Sequence, residues 1–192
     1  KDYRAGDLER RYARLAAEED CLVNYGFLPR EHPALMHPRE PRRAWDAATR
    51  RRAADVLAFV RERGPVHPRE VDQHFAHGSV RNYWGGSSNA STQLLDGLHY
   101  RALLRVQRRD AGIRVYAAVE HPPADDSPDG RMRRAAALVD LVVRKYAPLP
   151  AASLTYLARL LGYGAPHLKT QIQAALGQAR EALPSCRIDG VT

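Results

Sequence analysis

Four arginines close together in the chain, Arg105, Arg108, Arg109 and Arg114, are the residues whose type and spacing best suit chemistry. A guanidinium keeps its charge at any physiological pH and presents a fork of donors that fits phosphate oxygens. Upstream, Gln93 offers an amide that can bond two atoms on a base edge. Arg81 adds a further cation, and Tyr83 and Trp84 add two rings that either stack on bases or plug the edge of a core. Together these eight residues are the candidate contacts to double-stranded DNA. No nucleophile stands beside a base, and there is no nucleotide-binding glycine loop or paired-carboxylate pattern. No catalytic residue and no cofactor is therefore assigned within the chain. His32-Pro33 and His37-Pro38 have no Cys, Asp or Glu at a coordinating interval around them, so no metal ligand is assigned either.

The totals point the same way. In 192 residues, 30 Lys and Arg stand against 22 Asp and Glu, a net charge of +8, which favours a polyanionic partner. Nearly all of that charge is arginine, since the lysines are Lys1, Lys145 and Lys169. Two cysteines, Cys21 and Cys186, make neither a thiol motif nor a disulfide framework. With no signal peptide and no long apolar run, a soluble, cytoplasmic protein without a membrane segment is expected. The chain opens on Lys1 rather than Met, in residues that read as the middle of a domain, so a fragment is expected.

The arginines need a platform. In Leu103–Arg108 and Ile113–Ala117 apolar and polar residues alternate around the turn Arg109-Asp110-Ala111-Gly112, which predicts a β-hairpin. Alternation places Leu104, Val106, Ile113 and Val115 toward a core and Arg105, Gln107, Arg114 and Tyr116 away from it. Such a hairpin must lean on helices. Helices are predicted at Leu8–Asp20, at Pro41–Arg63 with Ala53, Val56, Leu57 and Val60 on one stripe, and at Pro68–Ala76. For the third of these, His67 is the N-cap, Pro68 the first helical residue and Glu70 the capping-box partner, with Val66 and Val71 as a hydrophobic staple. Gly78–Ser88 reads as loop. The next helix, capped by Asn89 or Ser88, buries Ser91, Leu94, Leu95, Leu98 and Ala102 and exposes Gln93, Asp96, Gly97 and Tyr100. Asp96 in the middle of that exposed face would repel phosphate, which makes the unit partly a scaffold. Helix, helix, loop, helix, hairpin is the order of a winged helix.

Residues 121–130 read as a linker. Beyond them Met132 to Tyr146 forms a helical stripe, Ala147-Pro148-Leu149-Pro150 breaks it, and a helix with Leu154, Leu157 and Leu161 follows. Pro148, Leu149 and Leu154 repeat the punctuation of Pro65, Val66 and Val71, which points to a second copy of the unit. A last helix carries Leu168, Ile172, Ala175, Leu176, Ala179 and Leu183 on one face, and Arg187–Val191 looks like the first strand of a further wing. The expected class is mainly α with small β-hairpins, built as tandem winged helices. The expected division is residues 1–40, the end of one unit; 41–120, a winged helix; 121–130, a linker; and 131–192, a second, incomplete unit.

The run Gly64–Glu70, the Trp84 loop, Leu94–Tyr100 with Leu103–Val106, and Leu141–Pro150 resemble the YcaQ/AlkZ-type winged-helix proteins. These include DNA glycosylases that unhook interstrand crosslinks and excise alkylated bases. The resemblance implies a longer protein of tandem winged helices, of which this chain is the central part. It also implies a catalytic Gln-x-Gln or Gln-x-Asp pair in an N-terminal winged helix upstream. Gln171-Ile172-Gln173 has that spelling, but Ile172 lies on the buried stripe, so no catalytic role is assigned to it. At Asn24–Pro29 the chain lacks the His that glycosylase members tend to carry before Leu-Pro. The function expected is DNA binding within a repair glycosylase acting on alkylated or crosslinked bases. The alternative is a winged-helix transcription regulator or protein-interaction module without catalysis.

Overall fold

The computed structural model describes residues 2, 4, 6–41, 43–81 and 86–186, with Arg81 described by its backbone alone. Helices dominate and small antiparallel strand pairs accompany them, the α+β class expected from the sequence. The chain forms two compact units, residues 1–19 with 43–120 and residues 20–42 with 121–192.

In the first unit α1 (Asp7–Arg11) runs into a single 3-10 turn at Tyr12–Arg14, and β1 (Ala17–Cys21) follows. The continuous helix expected to Asp20 is thus not formed. Of its stripe only Tyr12 is deeply buried, its hydroxyl donating to the Val106 carbonyl at 3.2 Å. One deep residue does not anchor a long amphipathic helix. Helix α2 (Ala47–Arg63) starts later than Pro41 because Asp46 caps it, accepting from the Thr49 N–H at 2.7 Å. It buries Ala53, Val56 and Val60 and ends at Gly64, whose φ of 84° suits glycine.

Helix α3 (Pro68–Phe75) starts as its sequence dictates. The His67 Nδ1 accepts from the Arg69 N–H at 3.1 Å, and the Glu70 carboxylate accepts from the His67 N–H at 2.7 Å. Val66 and Val71 are both fully buried, and Phe75 packs half-buried against the same core. The predicted loop proves to hold a hairpin, β3 (Ser79–Arg81) against β4 (Ser87–Asn89). Its strands are small and polar, so no apolar alternation marks them. Asn89 then caps α4 (Ala90–Tyr100) by accepting from the Thr92 N–H at 3.0 Å. Gly97 gives the Trp45 ring its place, since a Cβ there would stand 2.5 Å from Trp45 Cζ2.

Strands β5 (Leu104–Asp110) and β6 (Ile113–Ala118) make the predicted hairpin, turning on Ala111 and Gly112 at positive φ, as a two-residue turn requires. Val66 extends this ribbon by exchanging backbone bonds with Tyr116 at 2.8 and 2.9 Å. Two faces differ from simple alternation. Tyr116 is buried although expected outside, and Ile113 is 44% exposed although expected in the core. The register shifts between Val106 and Arg108, so the ribbon is bulged and Tyr116 stands opposite Val106, sharing its inward face. Ile113 pairs with Asp110 at the tip, beyond the helices.

In the second unit β2 (Tyr25–Pro29), expected only as a break in pattern, is a strand that pairs with β1. Around the segment before Arg42, helices α5 (Pro128–Tyr146), α6 (Ala151–Gly164) and α7 (Lys169–Ala182) close a core of Leu138, Val139, Val142, Leu161, Leu168 and Ile172. Leu154 is buried and Leu149 half-buried. Leu183, expected on the buried face, is 37% exposed, and Ala136, counted on the stripe of α5, is exposed as well. Gly164 packs against backbone, since a Cβ there would stand 2.5 Å from the Cys21 carbonyl oxygen. That closeness brings in a buried polar cluster. Asp20 Oδ2 lies 2.7 Å from His37 Nε2, Arg39 donates to Asp20 Oδ1 at 3.1 Å, and Arg39 Nε donates to the Gly164 carbonyl. The acid that meets His37 is thus Asp20, seventeen residues earlier in the chain. Burial pushes the Asp20 carboxyl up, but His37 and Arg39 outweigh it and hold it down at about 2.

Candidate nucleic-acid interface

The site begins at α4. Its buried side, with Leu95 and Leu98 almost fully covered, fixes which residues face out, and Gln93 and Asp96 are exposed. The amide of Gln93 is therefore presented to solvent near the start of the helix, as its spacing predicts.

Asp96 does not stand as a bare negative charge. It accepts from Arg114 Nη1 at 2.9 Å and from the Tyr116 hydroxyl at 2.6 Å. Burial, reinforced by the Asp96 charge, pushes the Tyr116 phenol up, so it remains a neutral donor. The carboxylate thereby ties α4 to β6.

The hairpin arginines show the same behaviour. Arg105 Nη2 lies 3.1 Å from Glu18, and Arg109 grips Glu19 with two bonds of 2.8 and 2.6 Å. Arg114 Nε adds a longer contact to Glu19 at 3.7 Å. Glu19 is 1% exposed, so this is an interior carboxylate neutralised by arginines about ninety residues away in the chain. Arg108 differs. Its partner Asp110 sits two residues away on the same strand, both side chains are 46% exposed, and the two bonds are 3.1 Å each.

Sequence reasoning brought the four arginines to one ribbon and missed the carboxylates that hold them. Glu18 and Glu19 were assigned to a helix, and no alternation in Ala17-Glu18-Glu19-Asp20 marks a strand. Tyr83 and Trp84, with the side chain of Arg81, lie outside the described residues. Gln171 and Gln173 flank the buried Ile172, and of the two only Gln173 borders the groove between α6 and α7. No group of three His, Cys, Asp or Glu side chains able to hold a metal ion occurs among the described residues. No helix among them is long and apolar enough to cross a membrane.

Comparison with known proteins adds one match. The family model described as DNA glycosylase AlkZ-like covers residues 1–192. No curated protein and no solved structure matches the chain.

Proposed function

We propose, on the premise that this chain belongs to the AlkZ-like DNA glycosylase family, that it forms the DNA-binding, tandem winged-helix part of a glycosylase that repairs alkylated or crosslinked bases. The observation that supports this reading is the order α2, α3, α4, β5, β6, with a capped α4 presenting Gln93 to solvent and a basic hairpin next to it. In this reading α4 enters the major groove, Gln93 meets a base edge, and the hairpin lies along the backbone. Arg108 is the hairpin cation that exchanges its partner most cheaply, because Asp110 is exposed and hydrates readily when phosphate replaces it. Arg105, Arg109 and Arg114 reach phosphate only by leaving carboxylates that hold the ribbon in place. Arg81, Tyr83 and Trp84 are assigned to the same surface from the sequence. By the repeat of punctuation in the sequence, the second unit is assigned as a further DNA-binding unit.

A second reading draws on those ion pairs. If the hairpin charge serves to fasten β5 and β6 to β1 and α4, the first unit is a scaffold or protein-interaction module. Fluorescence anisotropy with labelled duplexes, undamaged and carrying an alkylated purine, separates the two. The DNA reading predicts binding to both, weakened by Gln93→Ala in a chain that keeps its circular dichroism spectrum. A chain that binds neither duplex contradicts it.

A further inference from the structure

Between α6 and α7, within the second unit, runs an open groove of about 810 Å³. Tyr156, Arg159 and Tyr163 stand on its α6 side at i, i+3 and i+7, one face of a helix. Both side chains are more than half exposed, at 53% and 54%. Lys169 and Gln173 border the groove from α7. Between Tyr156 and Tyr163 the lining is Ala158, Arg159, Leu160 and Gly162, an apolar floor with one cation on it.

Charge sets this groove apart from the hairpin. Residues 141–180 contain no Asp or Glu, and neither Arg159 nor Lys169 has an ion-pair partner among the described residues. The Arg159 guanidinium lies 5.1 Å from the centre of the Tyr156 ring, an arrangement that leaves its donors available to an anion. Rings interleaved with uncompensated cations fit a strand of bases joined by phosphates. An acidic peptide would meet the cations but leave the rings unused.

Spacing supports that partner. Seven residues of α-helix rise roughly 10.5 Å, and bases in a stacked strand follow one another at about 3.4 Å. The interval from Tyr156 to Tyr163 therefore matches about three stacking steps measured along the helix. We propose that the groove between α6 and α7 binds single-stranded DNA, with Tyr156 and Tyr163 stacking on bases, Arg159 and Lys169 meeting the flanking phosphates, and Gln173 reaching a base edge. This rests on the reading that the chain works on DNA and adds to it a strand state and a site. A repair protein with such a groove has a place for nucleotides unpaired next to a lesion.

The test is anisotropy of a labelled thymidine oligonucleotide of about eight residues, in parallel with a duplex. The wild-type chain is expected to bind the oligonucleotide, and Tyr156→Ala with Tyr163→Ala to weaken it about tenfold per ring while duplex affinity falls less. Replacing both tyrosines by Phe keeps the rings and is expected to keep the affinity. Arg159→Ala should lower the magnitude of the log–log salt slope for the oligonucleotide by about 0.7. Failure of the wild-type chain to bind the oligonucleotide, or equal binding by the double Ala variant, overturns the proposal. If the duplex is still bound in that case, the groove assignment alone falls. If neither is bound, the DNA reading falls with it.

Discussion

The β5–β6 hairpin and the α6–α7 face carry the same kind of charge and treat it in opposite ways. In the hairpin each of the four arginines is matched by a carboxylate, from Glu18, Glu19, Asp96 or Asp110. On α6 and α7 the groove cations stand in a stretch of the chain without acid. A count of charges cannot tell these apart, since both raise the same net sum. What differs is whether a cation has been used to hold the fold, and only the remainder is available to a partner.

The largest expected effect tests that distinction directly. Arg109→Ala leaves Glu19, 1% exposed, without its two-pronged partner, and should cost about 3 kcal/mol in urea unfolding. Arg159→Ala, on the open face, should change stability by no more than about half a kcal/mol. Equal costs for the two would erase the contrast.

Acid probes the second unit, where Asp20 pairs with His37 and Arg39 in the interior. Burial, with the charges of Arg134 and Arg131, holds His167 down at about 4. The unfolded chain therefore takes up that proton first, so stability present above the ordinary His pKa of 6.5 is lost as pH falls toward 4, by roughly 2 kcal/mol. His37 is displaced in the same direction, chiefly by burial. Asp20, held at about 2, contributes stability above its ordinary value of 3.8 that is lost as pH falls through about 2, again roughly 2 kcal/mol. Urea midpoints measured from pH 7 to 2 should fall along both limbs, and His167→Leu should flatten the upper one. A midpoint independent of pH over that range contradicts the assignment.

A smaller effect separates the two helix starts. Helix α3 has its His67 and Glu70 capping box, whereas α6 begins after Pro150 with no side-chain cap. Glu70→Ala should cost about 1 kcal/mol. A cost near zero would mean that the Val66 and Val71 packing alone sets that helix start.

What the sequence revealed was local. The capping box needs four consecutive residues and the β5–β6 turn needs two with positive φ, so both could be read directly. The stripes of α2 and α4 followed from spacing, because one buried face decides the rest. The bulge between Val106 and Arg108 left no mark, and it is what turned Tyr116 inward and gave Asp96 a hydroxyl to accept. Strand β1 was illegible for a different reason. Glu19 and Asp20 are buried only because arginines and a histidine distant in the chain neutralise them, and no local pattern announces a partner ninety residues away. The same limit governed the site. Sequence could name Arg105, Arg109 and Arg114, but not that the fold already occupies them.

The salt dependence of duplex affinity tests the central claim, that this chain binds DNA through charge the fold has left available or, at Arg108, holds only by an exposed pair with Asp110. The log–log slope should be negative for the wild-type chain, and Arg108→Ala should reduce its magnitude by about 0.9 for unrelated duplex sequences alike. Gln93→Ala should weaken binding without altering the slope. Affinity indifferent to salt, or a slope unchanged by Arg108→Ala, would contradict the account and leave the hairpin as a fastened part of the scaffold.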